Sequence, residues 1–378
     1  MNVNTAMEET ELVDAAVAWL RDRLPSSWQV ERSTRAFHSE SSSTAQTLDA
    51  AIDVRANNGV STTLAVEARN SFAPRDVDTL LPGLARQLRT LAGHIPLLVV
   101  APWLSQRTRD LLTEEGINSI DLTGNAIVRL ENPTLYIESA GAQRNPAPAS
   151  QGRAQVRGPK AARLIRVLAD VRPPYGVREL AEAAAVTPGY VSRILETLDR
   201  EALVDRSPRG QVRSTDVAGL LRRWAQSYDV FETNYRSTFL AANGASSALD
   251  TVASLTRVGR IAVTGSFAAT RLAPVAAPAL LVAYCDDPQA VADALGLLPA
   301  DEAPNVALLK PFDAIVWEGL VTDMELSYVA PSQVVADCLT GTGRMPSEGE
   351  AVLGWMTENE SRWRLSALDE TRESATDS

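Results

Sequence analysis

Residues 161–215 constrain the fold more than any other stretch, because hydrophobic spacing, turn residues and charge agree there. Residues 161–169 predict a helix with Leu164, Ile165 and Leu168 on one face. Residues 177–185 (VRELAEAAA) predict a second short helix with Val177, Leu180 and Ala184 turned inward. Thr187 suits an N-cap, and Pro188 suits the first helical position, where its missing N–H costs nothing. In PGYVSRILETLDRE, residues 188–201, Val191, Ile194, Leu195 and Leu198 recur at i, i+3, i+4 and i+7 and form a core stripe. The opposite face carries Gly189, Tyr190, Ser192, Arg193, Thr197 and Arg200. Beyond Leu203 and Val204, DRSPRGQVRST reads as two short extended runs around a Ser-Pro-Arg-Gly turn.

Helix, helix, tight turn, helix and basic hairpin is the order of a winged helix-turn-helix, whose second motif helix can lie in the major groove. A three-helix protein-interaction module is the plainer alternative. Charge favours the first. Residues 153–223 carry 14 Lys/Arg against 8 Asp/Glu, net +6, whereas the rest of the chain has 22 basic and 39 acidic residues, net −17. A basic island in an acidic chain suits phosphate contact, and acidic flanks should weaken indiscriminate binding. Tyr190, Ser192 and Arg193 are expected at base edges, with Thr187 and Gly189 at the helix entrance. Arg206, Arg209 and Arg213 of the wing, with Arg178, are expected at phosphates or in the minor groove.

At 378 residues, 45% of them apolar, the chain is long enough for two or three domains. No apolar run approaches a membrane span, and the N-terminus MNVNTAMEETELV does not read as a signal peptide. Cys285 and Cys338, with His38 and His94, are too few for a disulfide framework or a Cys/His zinc site. A reduced, cytoplasmic protein with no metal and no cofactor is expected.

Before the basic island, residues 11–24 predict an amphipathic helix and 28–33 a strand. Segments 48–56 and 60–69 form a hairpin around Asn57, Asn58 and Gly59. The Ser-rich run 38–44 reads as a loop, and 74–93 as a helix kinked at Pro82 and Gly83. IPLLVVA, residues 95–101, is apolar throughout, as a buried central strand is. A helix over 105–115 and strands at 117–121, 126–131 and 135–137 complete a sheet. This is the element order of the PD-(D/E)XK nuclease core, with Asp53, Glu67 and Arg69 at the matching positions. Such nucleases hold a divalent metal between paired carboxylates and use a lysine beside it. Arg69 stands in the lysine position and, with its guanidinium always protonated, substitutes for it poorly. The residues therefore read as a nuclease relic without catalysis, as a solvated hairpin, or as a live metal-dependent DNA nuclease.

Residues 141–158 have linker composition. After the wing, 217–228 predict a helix packing Leu220, Leu221 and Trp224 onto the winged region, with Arg222 and Arg223 on a solvated face or at phosphate. Helices are expected over 231–242 and 245–257, a strand over 259–264, a tight turn at Gly265 and Ser266, and a helix over 267–272. A buried strand over 279–285 then ends in Asp286, Asp287 and Pro288, followed by a helix over 289–295. Further strands are expected at 306–311, 315–317 and 320–322, and helices at 331–339 and 348–359. Gly265, Ser266, Asp286 and Asp287 are similar to the Gly-Ser turn and magnesium carboxylates of nucleotidyltransferases, at a wider spacing; a strand-turn-helix crossover is the alternative.

The segments VEAR, APWLSQRTRDLL and IDLTGNAIV precede the winged region VRELAEAAAVTPGYVSRILETL. After it come VTGSFAA, DDP, NVALLKPFD and VVADCLTGTGRMP. In this order the chain, over most of residues 45–365, resembles the AbiEi-like transcriptional regulators, the antitoxin side of type IV abortive-infection toxin–antitoxin systems. The resemblance implies a DNA-binding autorepressor or regulator with a cognate toxin. The expected architecture is α/β and multi-domain. It comprises a restriction-endonuclease-like α/β domain (1–140), a linker (141–158), a central winged helix-turn-helix (159–228), a nucleotidyltransferase-like α/β domain (229–367) and a disordered tail (368–378). The expected partners are double-stranded DNA, a second copy in a homodimer, a toxin, and a nucleic-acid or nucleotide effector, with no membrane. A toxin-neutralising interaction protein is a further alternative.

Overall fold

The computed structural model describes residues 7–34, 48–77, 95–143, 145–146, 155–255 and 258–368. The run 38–44, the helix expected over 74–93 beyond Val77, part of the linker and the tail from residue 369 lie outside the described residues. The chain divides into two compact units, Met1–Arg153 with Arg200–Ala202, and Ala154–Asp199 with Leu203–Ser378.

In the first unit, α1 (Glu9–Arg23) turns a stripe of Leu12, Val13, Ala16, Val17 and Leu20 into the core. It covers one face of a seven-stranded sheet: β1 (Gln29–Arg32), β2 (Ala50–Arg55), β3 (Ser61–Ala68), β4 (Leu97–Ala101), β5 (Asn118–Asp121), β6 (Ala126–Leu130) and β7 (Leu135–Ser139). The strands lie in chain order, parallel only at β3–β4 and β4–β5. The wholly apolar β4 is central and fully buried, as its sequence requires. The two-residue period of β3 sends Leu64, Val66 and Ala68 into the cluster with α1. Ala65 joins the opposite cluster, with Leu97, Val99, Leu104 and Leu112. Leu112 comes from α2 (Gln106–Glu114), whose N-cap is Ser105.

The motif IDLTGN is occupied by a turn. The buried Asp121 carboxylate accepts from the Leu104 amide (3.1 Å), the Thr123 amide and hydroxyl (2.9 and 2.6 Å), and the Asn125 amide and side chain (3.1 and 2.8 Å).

The second unit holds the winged segment and an α/β layer around one continuous core, running from Val156 to Met356. Its seven-stranded sheet has the order β13-β10-β14-β12-β11-β16-β15. The strands are β10 (Tyr235–Leu240), β11 (Ile261–Thr264), β12 (Leu281–Cys285), β13 (Leu298–Pro299), β14 (Val306–Lys310), β15 (Val321–Asp323) and β16 (Leu326–Tyr328).

Several expectations need correction here. The helix expected over 231–242 is a single turn, Val230–Thr233, followed by β10. Asn234 is extended, and its side chain donates to the Val230 carbonyl (2.8 Å) and accepts from the Phe312 amide (3.0 Å). The aromatic, β-branched run YRSTFL then pairs with β14 from Tyr235↔Lys310 to Phe239↔Val306. That tertiary pairing overrides a weak helical pattern. Residues 315–317, expected as a strand, form a 3₁₀ turn, Ala314–Trp317, capped by Asp313. Gly265 and Ser266 make no free turn: they open a helix, Gly265–Leu272, with Gly265 at φ +64° where strand passes to helix.

Candidate nucleic-acid interface

The second unit begins with α3 (Pro159–Asp170), α4 (Val177–Ala183) and α5 (Pro188–Arg200). Their inward residues Leu164, Ile165, Leu168, Leu180, Val191, Ile194, Leu195 and Leu198 are completely buried, so the helical stripe read from the sequence is the core face. The turn between α4 and α5 places Ala185 at φ +50° and donates the Val186 amide to the Ala181 carbonyl at 2.9 Å. The Thr187 carbonyl then accepts from the Tyr190 and Val191 amides, at 3.0 and 3.1 Å, and starts α5. Thr187, Gly189, Ser192 and Arg193 are exposed and Tyr190 is half-buried. The Arg193 Nε donates to the Gly189 carbonyl at 3.3 Å, so the guanidinium lies along the helix surface. Burial pushes the Tyr190 phenol up, and the neighbouring Arg193 charge opposes it.

The wing is β8 (Val204–Arg206) and β9 (Val212–Thr215), paired antiparallel with an irregularity between Asp205 and Arg206. Gly210, at φ +86°, closes its turn, and the Ser207 amide donates to the Gln211 carbonyl at 2.8 Å. Arg209 and Arg213 are exposed and Arg206 is half-buried. Arg213 pairs with Asp205 at 3.1 Å, and the Arg206 Nε donates to the Gly210 carbonyl at 3.4 Å. Tyr175, which the sequence reading passed over, pairs with Val212 in both directions (3.3 and 3.0 Å) and adds a one-residue strand. Its only sequence signal is an aromatic set extended between Pro173-Pro174 and Gly176. Through it the start of α4, which carries the exposed Arg178, lies against the wing.

Not all of the basic island faces outward. Arg163 forms a bidentate pair with Asp313, the closest contact 2.7 Å, and Arg172 pairs with Glu360 at 3.6 Å. Arg222, on α6 (Val217–Ala225), pairs with Glu350 at 2.6 Å, which lowers the Glu350 carboxyl and raises the guanidinium. Arg166 is buried and donates to Asp170 (2.8 Å), Gln333 (3.1 Å) and the carbonyls of Ile315 and Glu318 (3.3 and 2.9 Å). These four cations fasten the winged segment to the α/β layer. Arg222, expected on a solvated face or at phosphate, is about half exposed in its pair with Glu350.

The other two constellations assemble differently from their sequence expectations. In the β2–β3 hairpin Asp53 lies opposite Thr63 and accepts its hydroxyl at 2.5 Å. Glu67 is four residues further along, roughly 13 Å at ~3.4 Å per residue. Asp53 is therefore not its partner. Asp49 is: it sits one step beyond the pair Ala50↔Val66, and its carboxylate accepts the Ala68 amide at 2.8 Å. Burial first, and Asp49 second, push the Glu67 carboxyl up, while Arg69 pulls it down through a 2.7 Å Nε contact. Among the described residues no group of three or more His, Cys, Asp or Glu is placed to hold a metal.

Gly265, Ser266, Asp286 and Asp287 do not form one site. β11 and β12 run antiparallel, with Thr264↔Val282 and Ile261↔Cys285, so the Gly-Ser step and the two aspartates lie at opposite ends of the strands. Ser266 is buried against Glu348 (2.6 Å). Asp286 is held low by Arg260, which bonds it through both side chain and backbone. Asp287 caps the helix Pro288–Ala294.

Among the described residues no helix is long and apolar enough to cross a membrane. Searches of curated proteins and of solved structures find no match to this chain. One family does match: residues 159–208, from the start of α3 into the wing, match the IclR helix-turn-helix domain, and the chain thus carries a helix-turn-helix DNA-binding domain of that kind.

Proposed function

We propose that this protein is a sequence-specific regulator of transcription that binds double-stranded DNA as a homodimer. The observation that carries the reading is the exposed face of α5, with Ser192 and Arg193 beside half-buried Tyr190, next to a wing bearing Arg206, Arg209 and Arg213. The IclR helix-turn-helix match over the same residues supports it. On this reading α5 enters the major groove, Ser192, Arg193 and Tyr190 meet base edges, and the wing arginines with Arg178 meet phosphate. A single winged module offers limited discrimination, so two copies on a two-fold site supply the rest. The reading is non-enzymatic, and the ion pair of Arg69 with Glu67 supports that, because a fixed guanidinium stands on one carboxylate oxygen, Oε1, where such nucleases have a lysine beside the metal. An autorepressing antitoxin of the AbiEi type is a narrower form of the proposal and rests on the sequence resemblance; co-expression with the product of an adjacent gene tests it.

The central test uses a duplex selected from a random pool and unrelated competitor DNA. Arg193→Ala should lower discrimination between the two by ~1–3 kcal/mol per base contact. Arg209→Ala should weaken both duplexes alike and reduce the salt dependence by about one phosphate contact. If neither variant changes binding, α5 and the wing are not the reader.

A further inference from the structure

The C-terminal end of the described chain returns to the base of the wing. After α12 (Met345–Glu358) comes a short turn, Glu360–Arg362, and then Arg364 and Leu365. Leu365 forms a parallel bridge with Val171, its carbonyl accepting the Arg172 amide (2.9 Å) and its amide donating to the Asp170 carbonyl (2.8 Å). The Arg364 side chain, only 6% exposed, reaches into the junction of three elements. One terminal nitrogen donates to Glu360 at 2.7 Å. The other donates to the Leu168 and Val171 carbonyls at the end of α3 (3.2 and 3.1 Å) and to the Thr215 hydroxyl at 2.6 Å. Thr215 is the last residue of β9, where the wing joins the body. The Tyr175 hydroxyl converges on the same two carbonyls, at 3.3 and 3.4 Å.

We propose that Arg364 is a positioning residue for DNA binding: through its bond to Thr215 it fixes the angle of the wing relative to α5. The inference rests on the proposed role of the wing at phosphate. The physical argument is one of leverage. β9 is held at two points, by the Tyr175 bridge at Val212 and by Arg364 at Thr215, and two points fix its direction. With the second released the strand can pivot at Val212; Arg209 is three residues away, about 10 Å at ~3.4 Å per residue, so a tilt of ~10° moves it by about 2 Å. That displacement exceeds the tolerance of a charge-assisted hydrogen bond. The hairpin is braced internally by the Arg213–Asp205 pair and the Ser207–Gln211 bond, so motion at the base is transmitted to the tip. A guanidinium suits the junction because its fork reaches the helix end and the strand end together, which a lysine's single ammonium does less well.

The test uses the full chain and Thr215→Val. This variant keeps the branched shape of the strand residue and leaves Arg364 its two carbonyls and Glu360; the Tyr175 hydroxyl, which also contacts Thr215, keeps the Leu168 and Val171 carbonyls. A thermal melt checks that the fold is retained. The readout is the slope of log binding constant against log salt concentration on one fixed duplex. Losing Arg209→Ala and Arg213→Ala together should lower that slope by about 2. Thr215→Val alone should lower it comparably, with both arginines still present. Adding Arg209→Ala and Arg213→Ala to Thr215→Val should then change it little further. A wild-type slope in Thr215→Val, or a full further drop when the two arginines are removed from it, would overturn the positioning role. An unchanged slope in the double arginine variant of the wild-type chain would instead sink the wing's role at phosphate, whatever Thr215→Val does.

Discussion

Asp337, on α11 (Pro331–Leu339), has no solvent contact and accepts four hydrogen bonds from neutral donors. They come from the Tyr228 hydroxyl (2.7 Å), the Tyr284 hydroxyl (3.0 Å), the Thr264 hydroxyl (2.6 Å) and the Gln333 amide (2.8 Å). The donors hold the carboxylate, yet none carries a positive charge, so burial dominates and pushes its pKa up to about 6. The folded state thus binds this proton more tightly than the unfolded chain does. The group's contribution to stability is full below the ordinary carboxylate pKa and is lost as pH rises through about 6. Asp337→Asn cannot titrate. As pH rises from 4 to 7, wild type should therefore lose about 2 kcal/mol relative to the variant. Urea denaturation of both proteins across that range measures it, and a constant difference between them would show the carboxyl to be unperturbed.

At the scale of elements, how far the sequence could be read depended on whether an element is set by its own residues. The α5 stripe, the all-apolar β4 and the helix over 331–339 carry local patterns strong enough to survive packing, and each forms as expected. The helix expected at 231–242 failed because β10 forms by pairing with β13 and β14, roughly 60 to 70 residues later. Asp49 could have been found. With Asn57, Asn58 and Gly59 at the hairpin tip, Asp53 opposite Thr63 puts position 49, not 53, opposite 67. Arg364 could not, because nothing local to RWRL marks a residue that bonds Thr215 across 149 positions. Arg166 is of the same kind: its i, i+4 partner Asp170 was in plain view, but its bonds to Gln333, Ile315 and Glu318 were not. Arg166→Ala removes the donor from the Asp170 carboxylate, the Gln333 side-chain oxygen and the Glu318 carbonyl, while the Ile315 carbonyl keeps the Glu318 amide. The expected loss is about 3–5 kcal/mol, as for a broken buried pair, seen as a lower urea midpoint. Arg166→Met, which refills the volume, should recover part of it. Equal losses in the two variants would mean that packing has no share.

For the whole molecule, the second unit joins what the sequence divided at residue 228. Tyr228 is itself core: it stacks against Trp224 at 4.9 Å and bonds Asp337, so the end of the winged segment is continuous with the α/β layer. Arg163, Arg172 and Arg222 add ion pairs across the same seam, and Arg166 and Arg364 add hydrogen bonds. A winged segment cut at that point would expose Trp224, Leu220 and Leu221, all buried now. Unfolding of α3 or α6 should therefore require unfolding of β12. Native-state hydrogen exchange tests this directly: the slowest amides of Leu164 to Leu168, Leu220 to Trp224 and Val282 to Tyr284 should share one opening free energy. Binding duplex at 100 times its dissociation constant should raise all three by about 2.7 kcal/mol, including β12, which on the proposed reading touches no DNA. If the α3 and α6 amides open at lower energy than β12, or if DNA protects them alone, the winged segment is a separate domain. A signal received in the α/β layer would then have no rigid route to the DNA-reading face.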